Sequence, residues 1–113
     1  MAVDGIYSIT FRGAADWGMG LLMLQNKAIT GADVGGVTYD GTFEEKNDSV
    51  IINMQLTVPP GVTLVQGTRP HPEVTTFPFK ATIPKRAIDT HEPVLVQMPI
   101  GPVNVIFKRL RSL

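Results

Sequence analysis

Asp40, Glu44, Glu45 and Asp48 fall within nine residues of one another in DGTFEEKND, in a chain with ten acidic residues in all. Carboxylates this close together could bind calcium, dock a basic partner or solubilise the tip of a β-hairpin. Calcium fails on spacing. An EF-hand loop needs oxygen ligands at alternate positions, a central glycine and a terminal Glu followed by a helix, whereas this segment continues directly into the alternating run from Ser49 to Val58. Docking and solubilising both remain open.

The other reactive groups support no catalytic site. His71 and His91 stand 20 positions apart in proline-containing segments, with no metal-ligand spacing to each other. There is no cysteine, which removes disulfides and Cys-based zinc sites. No serine occupies a Gly-x-Ser-x-Gly elbow. The stretch GMGLLM begins like a dinucleotide fingerprint but lacks its third glycine and its helix. Asn47-Asp48-Ser49 matches a glycosylation sequon, but with no export signal it reads as turn composition. The expectation is a non-enzymatic protein with no metal and no cofactor.

The 113 residues suit one domain, 1–113, large enough to bury a core without staples. MAVDGIYS has no basic n-region followed by an apolar run, and nothing approaches the roughly 18 apolar residues of a membrane span. A cytoplasmic protein off the membrane is expected. A net charge of zero argues against direct nucleic-acid binding. Residues 1–56 carry seven acids and three bases, and residues 57–113 the reverse, so in a closed sheet the two halves neutralise one another.

Eleven glycines and nine prolines interrupt any helical period, and the repeated signal is alternation. Tyr7, Ile9 and Phe11 share one face. So do Val37, Tyr39 and Phe43; Val50, Ile52, Met54, Leu56 and Val58; Phe77, Phe79, Ala81 and Ile83; and Val103, Val105 and Phe107. With further strands near Trp17–Leu24, Ala28–Thr30 and Val94–Met98, seven or eight antiparallel strands are predicted, a count that suits a small barrel or sandwich. Pro59 to Pro72 is predicted to be a loop, and Lys85 to Ile88 to form at most one helical turn.

Strand two is apolar on both faces, with Trp17, Met19, Leu21 and Met23 on one and Leu22 and Leu24 on the other. A strand of that kind is covered twice, which predicts a homodimer with Trp17, Leu22 and Leu24 as contact candidates. Met19, Met23, Met54 and Met98, with Phe43 and Phe79, are candidates for the wall of an apolar cavity, since flexible thioethers suit adaptable sites. The alternative is that the methionines fill gaps in the core.

DGIYSITF, a Gly-containing second strand, the Thr-Gly-x-Asp and Tyr-x-Gly steps of AITGADVGGVTYDGTFEEKND, and the ending GPVNVIFKRL together resemble the GrlR-like family, negative regulators of type III secretion. The resemblance spans nearly the whole chain and rests on turn and core positions. It implies a lipocalin-like (calycin-like) all-β barrel that dimerises and acts by protein contact. In that family an acidic run after Tyr-x-Gly helps restrain a helix-turn-helix activator. Here the matching residues are Glu44, Glu45 and Asp48, with Asp40 before them, and Lys46 and Asn47 interrupt the acids. A regulator that binds a basic activator is therefore one expectation, and a carrier of a small apolar ligand is the other.

Overall fold

The computed structural model describes residues 2–67 and 69–113. The chain forms β1 (Gly5–Arg12), β2 (Trp17–Gln25), β3 (Ala28–Asp33), β4 (Thr38–Lys46), β5 (Ser49–Val58), β6 (Thr75–Pro84), α1 (Lys85–Thr90), β7 (Val94–Met98) and β8 (Gly101–Ser112). All eight strands belong to one antiparallel sheet ordered β6-β5-β4-β3-β2-β1-β8-β7. The sheet curls into a nearly closed barrel, with β6 and β7 drawn together and α1 spanning between them. The predicted all-β barrel is therefore what forms, with one short helix.

Alternation explains most of the interior. The inward rows of β1, β4 and β5 supply the buried Tyr7, Ile9, Tyr39, Phe43, Val50, Ile52, Met54, Leu56 and Val58. Cross-strand partners share a face of the sheet, so Tyr39 opposite Leu56 and Phe43 opposite Ile52 lock the register of β4 and β5. A slip of one residue would turn the whole row out to water.

β2 corrects the expectation. Leu22 and Leu24, predicted as outward dimer contacts, are buried in the core, at 6% and 5% exposure. Met19 and Met23, predicted to line the interior, lie on the outer face beside Trp17 and Leu21. The cause is register. β2 pairs with β1 so that Tyr7 meets Leu22, Ile9 meets Gly20 and Phe11 meets Gly18, and the inward face of β1 fixes which face of β2 is inward. Gly18 makes room there for the Phe11 ring, which a Cβ would displace.

Turn chemistry matches the short connections. Asn26 and Lys27 both have positive φ, at 52° and 66°, the conformation of a two-residue type I′ hairpin. Asn47, at φ 56°, turns β4 into β5. Proline at the end of β6 gives way to α1, whose Ala87 and Ile88 are buried. His91 ends the helix at φ 60°.

Gly41 marks a close backbone approach, since a Cβ there would overlap the Asn53 carbonyl of β5. Gly41→Ala should therefore destabilise the protein by about 1–3 kcal/mol through overpacking. Urea unfolding followed by circular dichroism measures it, and an unchanged midpoint would mean that β4 and β5 are further apart than described.

Candidate ligand cavity

The two ends of the barrel differ. One end carries the hairpin tips at 26–27 and 47–48 together with α1, and it is filled. Tyr7 and Phe107 meet edge to face with centroids 6.5 Å apart. The Tyr7 hydroxyl donates to the Val3 carbonyl, and Arg109 lies over the Tyr7 ring at 5.5 Å and donates its Nε–H to the hydroxyl at 3.1 Å. Arg109 also reaches Asp89 at 3.7 Å. The gap left beside Tyr7 is about 20 Å³, too small for a ligand of the usual size.

The other end holds a cavity of about 300 Å³, at the lower limit of the roughly 300–1,000 Å³ typical of small-molecule sites. Its walls include Ile9, Leu22, Met54, Phe79, Met98 and Phe107. Three of the six predicted wall residues, Met54, Phe79 and Met98, are thus brought together. Phe43 is buried in the core but does not line the cavity, and Met19 and Met23 are outside it.

The mouth was not predicted. The long β5–β6 loop lies across it and contributes Val62, Leu64 and Val65 to the lining. Leu64 is buried, and the Val65 carbonyl accepts N–H groups from Ala15 and Asp16 at 2.9 and 3.0 Å. Gln66 donates to the Met98 sulfur at 3.4 Å. The signal for this strap was present in Val62-Thr63-Leu64-Val65: an apolar run between prolines has to be buried against something.

Asp33, at the end of β3, pairs with Gly20 and so faces inward at the rim. Its Oδ1 accepts the Gly35 and Val37 N–H groups at 2.9 and 3.2 Å, and its Oδ2 accepts the Tyr39 hydroxyl at 2.5 Å. No family model and no characterised protein matches the chain. The cavity's chemistry therefore has to be read from its own residues.

Burial, and then the bond to Asp33, push the Tyr39 phenol well above its ordinary value of 10.0. Tyr7 is raised by burial, against the opposing effect of Arg109. A phenol with a folded pKa above its unfolded one stabilises the fold below the unfolded value, and that stabilisation is lost as pH rises towards the folded one. Stability should therefore fall above about pH 10 by up to about 1.4 kcal/mol per pH unit for each of the two phenols. Tyr39→Phe should remove one share of that slope and lower neutral-pH stability by about 1–3 kcal/mol, because the Asp33 carboxylate loses a donor. Denaturant unfolding at a series of alkaline pH values measures both effects, and an unchanged slope in the variant would contradict the assignment.

The acids of residues 40–48 do not converge on the mouth. Glu45 pairs with Lys85 at 3.2 Å, and the Lys85 N–H donates to the Asp48 carbonyl at 2.8 Å. Glu44 and Asp48 are exposed at the filled end, and Asp40 is exposed on the outer face of β4. His71 and His91 are exposed. Among the described residues no three His, Cys, Asp or Glu side chains are grouped as metal ligands, and no helix is long and apolar enough to cross a membrane.

Proposed function

We propose that this barrel binds a small apolar molecule. The observation that carries the reading is the cavity of about 300 Å³, walled largely by apolar side chains at one end of a barrel whose other end keeps a gap of only about 20 Å³. The site is built on strands, which hold its shape without a ligand, while the strap of the β5–β6 loop lines its entrance. Titrating the protein with the neutral fluorophore phenylnaphthylamine tests it. Saturable enhancement at one probe per chain is the expected result, and a linear, unsaturated response would count against the cavity as a binding site.

A second reading, a cytoplasmic regulator acting by protein contact as the GrlR-like resemblance implies, is favoured by the outer face of β2. Trp17, Met19, Leu21 and Met23 are 61%, 44%, 53% and 37% exposed, and contiguous exposed apolar rows of this kind mark interaction sites. Its occupant in this reading is a second copy of the chain. Arg111, Ile6, Met23, Thr30 and Asp40 form one cross-strand row, basic on the β8 side and acidic on the β4 side. A two-fold axis running along β2 sets the basic flank of one copy towards the acidic flank of the other. Leu21→Glu should convert a dimer to a monomer in sedimentation equilibrium. A wild-type chain that sediments as a monomer at high concentration would remove this reading of the face.

In the same reading, Glu44, Asp48 and Asp40 are the acids free to meet a basic helix-turn-helix activator, Glu45 being engaged by Lys85. Such a contact weakens as salt rises.

A further inference from the structure

The cavity lining carries its charge in one place. Asp16 and Asp33 are its charged residues, both at the mouth, and among the described residues no Lys, Arg or His lines it. Asp33 is a fixed group. Two backbone N–H donors and the Tyr39 hydroxyl hold its carboxylate against the rim. An ionised carboxylate offers about four acceptor sites, so these three bonds leave one acceptor position unused. Asp16 accepts the Trp17 N–H at 2.8 Å and is otherwise exposed. Gln66 directs its side-chain amide at the Met98 sulfur.

Below this rim the walls are apolar. A ligand that fills the cavity has its tail among Ile9, Leu22, Met54 and Phe107 and its head beside two carboxylates. We infer that the ligand class is a small amphiphile with a positively charged, hydrogen-bond-donating head, of the alkylamine or arylalkylamine type. The inference rests on the reading of the cavity as a ligand site. An ammonium head meets opposite charge and an open acceptor position. A fatty acid of the same length brings a third carboxylate to a mouth with no basic group to receive it, and like charges set close together in a partly desolvated site discriminate strongly. An alcohol, which donates a hydrogen bond without charge, falls between them.

The test is displacement of phenylnaphthylamine from the full chain near neutral pH by octylamine, octanol and octanoate, which share a tail and differ in the head. Octylamine should displace the probe at a concentration about ten-fold or more below octanoate, equivalent to roughly 1.4 kcal/mol of head-group discrimination, with octanol between. The ratio should shrink at high salt, and it should narrow in Asp16→Lys and, to a smaller extent, in Asp16→Asn, which keeps an acceptor for the Trp17 N–H. Octanoate displacing the probe as well as octylamine does, or a ratio unmoved in both Asp16 variants, overturns the assignment of the head group while leaving the cavity reading intact. Failure of phenylnaphthylamine to bind at all overturns the cavity reading itself, and the head-group assignment with it.

Discussion

Leu22→Glu should strongly destabilise the fold, while Leu21→Glu, one residue away, should leave the barrel intact. Leu22 is 6% exposed and Leu21 53%. The Leu22 side chain lies between Tyr7 of β1 and Gly31 of β3, its cross-strand partners, on the inner face. A carboxylate placed there leaves water for an apolar face, and its desolvation, added to the lost apolar burial, amounts to about 4 kcal/mol or more. Small domains have roughly 5–15 kcal/mol in total. Exposed substitutions such as Leu21→Glu usually stay within about 0.5 kcal/mol, so its effect falls on association and not on the fold. Far-ultraviolet circular dichroism with urea titration separates the two variants. Equal stability of the pair would mean that β2 is paired in the opposite phase.

The second large effect concerns the cavity. Met54→Trp replaces a flexible side chain on the central wall with a larger, rigid one. The indole takes up space that a ligand would need, so phenylnaphthylamine affinity should drop by about ten-fold or more, a loss of at least roughly 1.4 kcal/mol. Met54 is 8% exposed and lines a space that can accept added volume. The stability change should therefore be smaller than the 1–3 kcal/mol or so typical of overpacking a filled core. Met19→Trp, on the outer face, should leave probe affinity unchanged. Equal losses in both variants would show that the probe reports surface adsorption.

The contrast between Met54 and Met19 shows where sequence reasoning succeeds and where it stops. The inward rows of β1, β4, β5, β6 and β8 were readable because each alternates apolar with polar residues, and the pleat gives that alternation one solution. β2 offered two, with large apolar side chains on both faces. Only its pairing with Tyr7, Ile9 and Phe11 decides between them, and that is a long-range fact absent from the strand itself. Phase alone does not place a wall residue: Met54, Phe79 and Met98 line the cavity, whereas Phe43, on the inward row of β4, is buried in the core away from it.

The mouth was hidden for a different reason. Asp33 and Tyr39 meet because a four-residue turn, Val34 to Val37, brings the end of β3 over the start of β4. Asp16 reaches the same rim from the β1–β2 turn, and Leu64 from a loop whose prolines signalled only that it is not a strand. No single segment carries the site. The acidic hairpin was visible as a tip, but its bonds from Lys85 to Glu45 and Asp48 were not, because α1 returns to it from 40 and 37 residues further on in the chain.

Methyl resonances of the methionines provide the most direct test of the claim that a small apolar molecule enters the barrel. With phenylnaphthylamine added to methyl-labelled protein, the Met54 and Met98 methyl signals should shift and saturate together with the fluorescence, while those of Met19 and Met23 stay in place. Shifts confined to Met19 and Met23, or no shift in any methionine at saturating probe, would contradict it.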